Sequence, residues 1–324
     1  MNPKFSVILL TTLIGAGQGL FVAVFSVEVA ALFNGLPSPI RPWFFFYGAL
    51  TAFVFTGAGL VASFFHLGRP ARAWRSAAQW RTSWLSREVI VLPAFMAVAA
   101  LYALAHFLGW NGTYGSSSGS VTDPTMLLGA AGTLLAFALY VCTGMIYACL
   151  PFLREWATPL TVVNYMLLGL ASGSTLAAAT TLASGAVLRF IAITALIILV
   201  LAFVSRVASL YRNERLVPKS TLQTAIGIKH PQIAQKAQGF MGGSFNTREF
   251  FHGRSASVLR SVKWIFLVFT FVLPAALLAM GLLGAPRIVF VSAFAVQYIG
   301  LLAERWFFFA QANHPQNLYY QAIA

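Results

Sequence analysis

An all-α integral membrane protein, an eight-transmembrane-helix bundle, is the fold class that this sequence predicts, and two observations carry the prediction. Of its 324 residues only 9% are charged and 59% are hydrophobic, whereas a soluble domain is roughly a quarter charged. The apolar residues also fall in eight runs, at roughly 5–33, 41–65, 87–108, 125–150, 159–182, 187–210, 262–283 and 287–310. Each is close to the roughly 20 residues that a spanning helix needs. A membrane β-barrel would show ten-residue segments of alternating polarity instead. Continuous runs satisfy their backbone in lipid only as helices.

Taken in order, the first run follows Lys4 and continues to about Phe33. That is too long for the core of a signal peptide and has no persuasive small-residue cleavage site, so it reads as a retained helix. Gly15, Gly17 and Gly19 in this run, and Gly169 with Gly173 in the fifth, have the spacing that lets helix backbones approach closely. Between the third and fourth runs, Asn111 to Asp123 is rich in Gly and Ser and reads as a loop. Cys142 and Cys149 lie one heptad apart in the fourth run; about 10 Å of helix rise separates them, which forbids a disulfide. Pro274 falls inside the seventh run and predicts a kink. The whole reads as a single membrane domain, 1–324, with one extended loop at about 212–262. That loop mixes basic residues with Phe240, Phe245, Phe250 and Phe251, so it reads as folding on a partner subunit. The competing reading is a self-packed basic cap on anionic lipid head groups.

The net charge of +14 would suggest nucleic acid in a soluble protein. Here its distribution decides. With eight spans the termini share a side with the second, fourth and sixth loops, and that side holds 18 of the 21 Lys and Arg. Only Arg41, Arg189 and Arg287 lie on the other. The positive-inside rule therefore places both termini and the two large loops in the cytoplasm, and nucleic acid drops out as a partner.

Ionisable groups at membrane depth are costly and so are functional candidates. His66 closes the second run and Glu88 opens the third, and between or beside them come Arg69, Arg72, Arg75, Arg81 and Arg87. An imidazole titrates near neutral pH and a desolvated carboxyl is pushed into a usable range, so the pair suits the two protons of a quinone reaction. The purely structural reading is that His66 caps its helix and Glu88 pairs with Arg87 or Arg72. Glu28 and Gln18 in the first run, and Glu304 and Arg305 in the last, serve either a proton path or helix packing. No metal site is expected. Neither CxxC nor Cys/His zinc spacing occurs, so the chain itself offers no iron–sulfur ligation. His106, His230, His252 and His314 supply no pair of imidazoles well inside two facing helices, so no haem is expected. A secondary transporter is the alternative from another class, without a matched pair of broken helices to support it.

The run HLGRPARAW, the SREV that places Glu88 at a helix start, and the close AERWFFFAQANHPQNLYY together resemble the membrane anchor of dimethyl sulfoxide reductase, the DmsC family. The resemblance spans most of the chain. It implies a haem-free anchor that exchanges electrons with ubiquinone or menaquinone. Its implied partners are a ferredoxin-like subunit with four iron–sulfur clusters and a molybdopterin catalytic subunit. It also implies that His66 and Glu88 belong to the quinone site, with Arg72, Arg69 and Ser86 beside them. Arg75, Arg81, Arg248, His252 and Arg254 are the residues expected to dock the cluster subunit. The stretch MGGSFNTREFFHG further resembles the anchors of cytoplasmic sulfite-oxidising complexes, the Soe type, whereas the plain family member serves a reductase of the DMSO or polysulfide kind. Sulfite oxidation feeding quinone is what that second resemblance implies.

Overall fold

The computed structural model describes residues 1–36, 40–110, 122–180, 185–217, 220–234, 250, 252–315 and 317–318. Among these, eight helices are long and apolar enough to span a membrane: α1 (Phe5–Leu32), α2 (Pro42–Phe64), α3 (Trp84–Phe107), α4 (Pro124–Ala148), α5 (Pro159–Thr180), α6 (Gly185–Glu214), α7 (Ala256–Leu282) and α8 (Ile288–Ala310). Every expected span is present, and the described residues contain no strand. The differences lie at polar ends, where hydropathy gives no signal. The third helix begins at Trp84 because Ser83 caps it, its hydroxyl accepting from the Ser86 amide at 3.4 Å. The sixth runs on to Glu214 and the seventh starts at Ala256, joined across their exposed ends by Lys263 and Glu214 at 2.8 Å. Prolines at the first helical position open α2 and α4, where the missing N–H costs nothing.

The kink expected at Pro274 takes a specific form. A π-helical turn, Val268–Val272, lies immediately ahead of it. Widening the turn by a residue accommodates the lost N–H and the bulk of the ring.

The core is built on α1 and α5, the two most buried spans. Their glycines are the reason they can touch. A Cβ on Gly173 would strike the backbone of Gly19 and Leu20, and one on Gly19 would strike the Gly169 carbonyl. Gly17 faces α2 instead, against the Ala52 carbonyl and Thr56. Helices α2, α4 and α8 also pack on α1, while α6 leaves Ile197, Val200 and Val204 exposed as lipid-facing positions. Without a hydrophobic drive between helices in lipid, such close backbone approach is what supplies the contact energy. The start of α1 and the end of α8 lie at one end, where the Met1 ammonium donates to the Ala312 carbonyl at 2.8 Å. Cys142 and Cys149 are free, the first buried and the second exposed. Residues 111–121 of the Gly/Ser loop lie outside the described residues.

Candidate functional site

The termini-bearing end of the bundle carries the arginine-rich segment between α2 and α3. Pro70–Gln79 forms a 3-10 helix with Pro70 at its first position and no buried residue. At three residues per turn, side chains three apart eclipse, so Arg69, Arg72 and Arg75 share one edge, and all three are exposed. Arg75 lies over Trp74 at 5.5 Å and Arg81 over Trp80 at 5.4 Å. Arg87 turns back on this segment, donating to the carbonyls of Trp80 at 2.9 Å and Arg81 at 2.8 Å while covering Trp84. Its role is to fix the entry into α3.

His66 sits in the turn after α2, half-buried, with its Nδ1 lacking a hydrogen-bond partner among the described residues. Burial, and then the nearby charge of Lys4, hold its pKa below the ordinary histidine value, so the ring is neutral at pH 7 and ready to accept a proton. Glu88 lies deeper. It is 8% exposed, and its carboxylate accepts from the Thr143 hydroxyl of α4 at 2.5 Å. The structural pairing with Arg87 or Arg72 is therefore not the one formed. Ser86, also buried, occupies the first turn beside it.

Glu88 opens onto an internal cavity of about 20 Å³ that Gln18, Tyr140, Thr143, Tyr165 and Arg305 also line. That is room for about one water. Gln18 donates to the Ala136 carbonyl at 3.3 Å and Tyr140 to the Gly15 carbonyl at 2.8 Å, so two of the polar groups are fixed by backbone. Among the described residues no hydrogen bond or ion pair joins His66 to Glu88. They lie at different depths: His66 faces Lys4 at the start of α1, whereas the cavity reaches Thr11 and Ile14. Seven residues of helix place these levels about 10 Å apart.

A second charged group borders the cavity. Glu304 pairs with Arg206 of α6 at 2.7 Å and with its neighbour Arg305 at 3.3 Å, and the Arg305 guanidinium lies 3.7 Å over the Tyr165 ring. Sequence reasoning picked out Glu304 and Arg305 but used Arg206 only to count charge; an arginine inside the apolar α6 run was the available signal. Thr143 was missed because a threonine in a membrane helix ordinarily bonds its own backbone, and Tyr140 and Tyr165 because an uncharged phenol in an apolar run gives no charge signal.

Glu28 and Gln18 are kept apart. Glu28 accepts from Tyr102 at 2.5 Å and faces the buried His106 at 3.5 Å, with Phe45 stacked on that imidazole at 4.6 Å. Ten residues of α1, about 15 Å, lie between Glu28 and Gln18, and Phe21 and Phe25 fill the interval against Phe95 and Tyr102.

Of the expected docking residues, Arg75, Arg81 and Arg254 are exposed, and Arg248 lies outside the described residues, as do Phe240, Phe245 and Phe251. His252 is buried, its ring 6.3 Å from that of Trp306 and its Nδ1 accepting from the Arg254 amide at 3.1 Å, so it faces the bundle. Phe250 stacks on His314 at 3.8 Å, which brings the end of the long loop onto the segment after α8. Among the described residues, no three His, Cys, Asp or Glu cluster in a way that could hold a metal ion.

The family model of the DMSO reductase anchor subunit (DmsC) matches residues 1–305. A sulfite dehydrogenase subunit of Allochromatium vinosum is 52% identical over 326 aligned residues that cover 100% of both chains. An eight-helix membrane bundle that matches this family model over nearly its whole length belongs to that family: the chain is a DmsC-type membrane anchor subunit.

Proposed function

We propose that this anchor passes electrons between the iron–sulfur subunit of a three-subunit molybdenum enzyme and membrane quinone, and that the enzyme oxidises sulfite. The balanced reaction is sulfite, water and quinone going to sulfate and quinol. The observation that carries the quinone site is Glu88: a carboxyl buried to 8% exposure, held by Thr143, at the same end of the bundle as the arginine edge and a neutral His66. The inner cavity admits a water but not a quinone ring, so the ring lies outward of it, between the levels of Glu88 and His66. Glu88 can then hand its proton to one ring oxygen, while the neutral His66 relays a proton from solvent to the other, accepting at one ring nitrogen as it donates from the other. Arg69, Arg72 and Ser86 border that position. The sulfite assignment draws on the full-length similarity to a protein named for sulfite oxidation and on the cationic side, which the positive-inside rule makes cytoplasmic.

Docking of the cluster subunit belongs to the exposed face of Arg75, Arg81 and Arg254. Exposed guanidiniums are best neutralised by an acidic protein surface. Molybdopterin and the iron–sulfur clusters reside on those partners. Quinone, ubiquinone or menaquinone, is an exchangeable substrate.

The test is made in the assembled complex. His66→Ala and Glu88→Gln are each expected to lower sulfite-to-quinone turnover at least tenfold and to weaken semiquinone or inhibitor binding, with sulfite-to-ferricyanide turnover intact. Quinone turnover and inhibitor binding that match the unsubstituted complex would remove the site.

A further inference from the structure

Arg206, Glu304 and Arg305 are exposed by only 2%, 1% and 3%, and they comprise two cations and one carboxylate. An uncompensated charge in a membrane interior is costly even after relaxation. An anion formed beside it is therefore stabilised. Arg206 Nε takes the shorter contact with Glu304, 2.7 Å against 3.3 Å for Arg305, so the excess positive charge rests on Arg305. Arg305 Nε has no hydrogen-bond partner among the described residues, and its side chain lines the same water-sized cavity as Glu88. Glu88 is the acid on that cavity.

We propose that Arg305 is the counter-charge of the Glu88 carboxylate, acting across the cavity through one water, with Glu304, Arg206 and the Tyr165 ring holding the guanidinium in position. This rests on the quinone-site reading of Glu88 and deepens it. When quinone is reduced, two electrons come from the partner iron–sulfur subunit and two protons from the protein. For one of them the Glu88 O–H bond breaks as a ring O–H bond forms, which leaves a carboxylate. That carboxylate, together with Glu304, neutralises Arg206 and Arg305, so the buried group has no net charge at the moment Glu88 is ionised. Solvent returns the proton to Glu88 for the next turnover. Arg305 is thus a positioning residue that sets the proton affinity of Glu88 without touching quinone.

The other groups facing Glu88 are accounted for: Tyr140, Cys142 and Tyr147 of α4, Tyr165 of α5, and Arg87 one residue back on α3. Arg87 keeps its charge but is held outside the cavity, donating to the Trp80 and Arg81 carbonyls at the exposed mouth of α3, and the rest are neutral near pH 7.

The test is the pH dependence of sulfite-to-quinone turnover in the whole complex, with a short-chain ubiquinone analogue as acceptor and ferricyanide as the acceptor that bypasses the site. As a proton donor, Glu88 gives an alkaline limb on which turnover falls as pH rises through its pKa, and Glu88→Gln abolishes that limb. Arg305→Gln removes a stabilising positive charge and is expected to move the limb up by about one pH unit, with kcat lowered about tenfold and KM for quinone within twofold. Arg305→Lys restores it. The isosteric Glu304→Gln, which leaves the two arginines uncompensated, is expected to move the limb down. Shifts of opposite sign are what a merely structural role does not produce. A limb left in place by Glu304→Gln, or by Arg305→Gln where that variant assembles, overturns the counter-charge role. A pH profile that survives Glu88→Gln overturns the quinone-site reading itself, which keeps the two failures apart.

Discussion

Glu88 and Glu28 are both carboxylates inside apolar helices, and their neighbours give them different work. Glu88 has a threonine on one side and an open cavity on the other, so it can change its protonation with a small rearrangement. Glu28 is held by Tyr102 and faces His106, with aromatic rings packed around that imidazole. It ties α1 to α3 at the end away from the arginines, and Phe21 and Phe25 close the interval toward Gln18. Replacing it by leucine strips a buried acceptor from Tyr102 and a partner from His106, a loss of about 1–3 kcal/mol. Glu28→Leu is therefore expected to lower the thermal midpoint of the purified complex while quinone turnover stays within twofold. A large fall in turnover at unchanged stability would instead put Glu28 on a proton path. Both carboxylates stood out in the sequence as charges within apolar runs. Which was poised and which was clamped depended on Thr143, Tyr102 and His106, residues 55, 74 and 78 positions away along the chain.

At the scale of elements, the glycines of α1 and α5 and the arginines of the 3-10 helix show two kinds of legibility. The small-residue spacing in each helix was readable, and the structure pairs Gly19 with Gly169 and Gly173 through their backbones. Gly173→Val has no flexible atom to displace, because what its side chain would meet is the main chain of Gly19 and Leu20. Overpacking of this kind costs about 1–3 kcal/mol or more, so the variant is expected to fall sharply in the yield of detergent-stable complex. A variant of ordinary yield and melting temperature would show that α1 and α5 separate at little cost. The arginine segment read as a loop of cations. Only the 3-10 winding aligns Arg69, Arg72 and Arg75 on one edge, because an α-helical period would have fanned them out. Similarly, Pro274 announced a distortion in α7, but its form, a π-turn at Val268–Val272 with Gly300 of α8 lying against Thr270, came only from the structure.

For the molecule as a whole, eight spans put the start of α1 and the end of α8 at one end of the bundle, and the contact from Met1 to Ala312 agrees with that count. If this end is cytoplasmic, a reporter fused after Ala324 gives a cytoplasmic signal, and purification through this anchor brings down a molybdoprotein that carries no export signal. A periplasmic signal would reverse the site's side and remove the argument for cytoplasmic sulfite oxidation. By itself the sequence determined the class of fold, the number of spans, the clustering of cations at one end and the residues worth suspecting, because hydrophobic length and charge are properties of local sequence that a bilayer reads directly. Tertiary structure decided which suspects meet. It separated His66 from Glu88 in depth, turned Arg87 back onto the arginine segment and His252 toward the bundle, gave Glu88 its threonine, and set Glu304 between Arg206 and Arg305. Where those pairings join different helices, they depend on helix rotation and close backbone approach, which hydropathy does not encode.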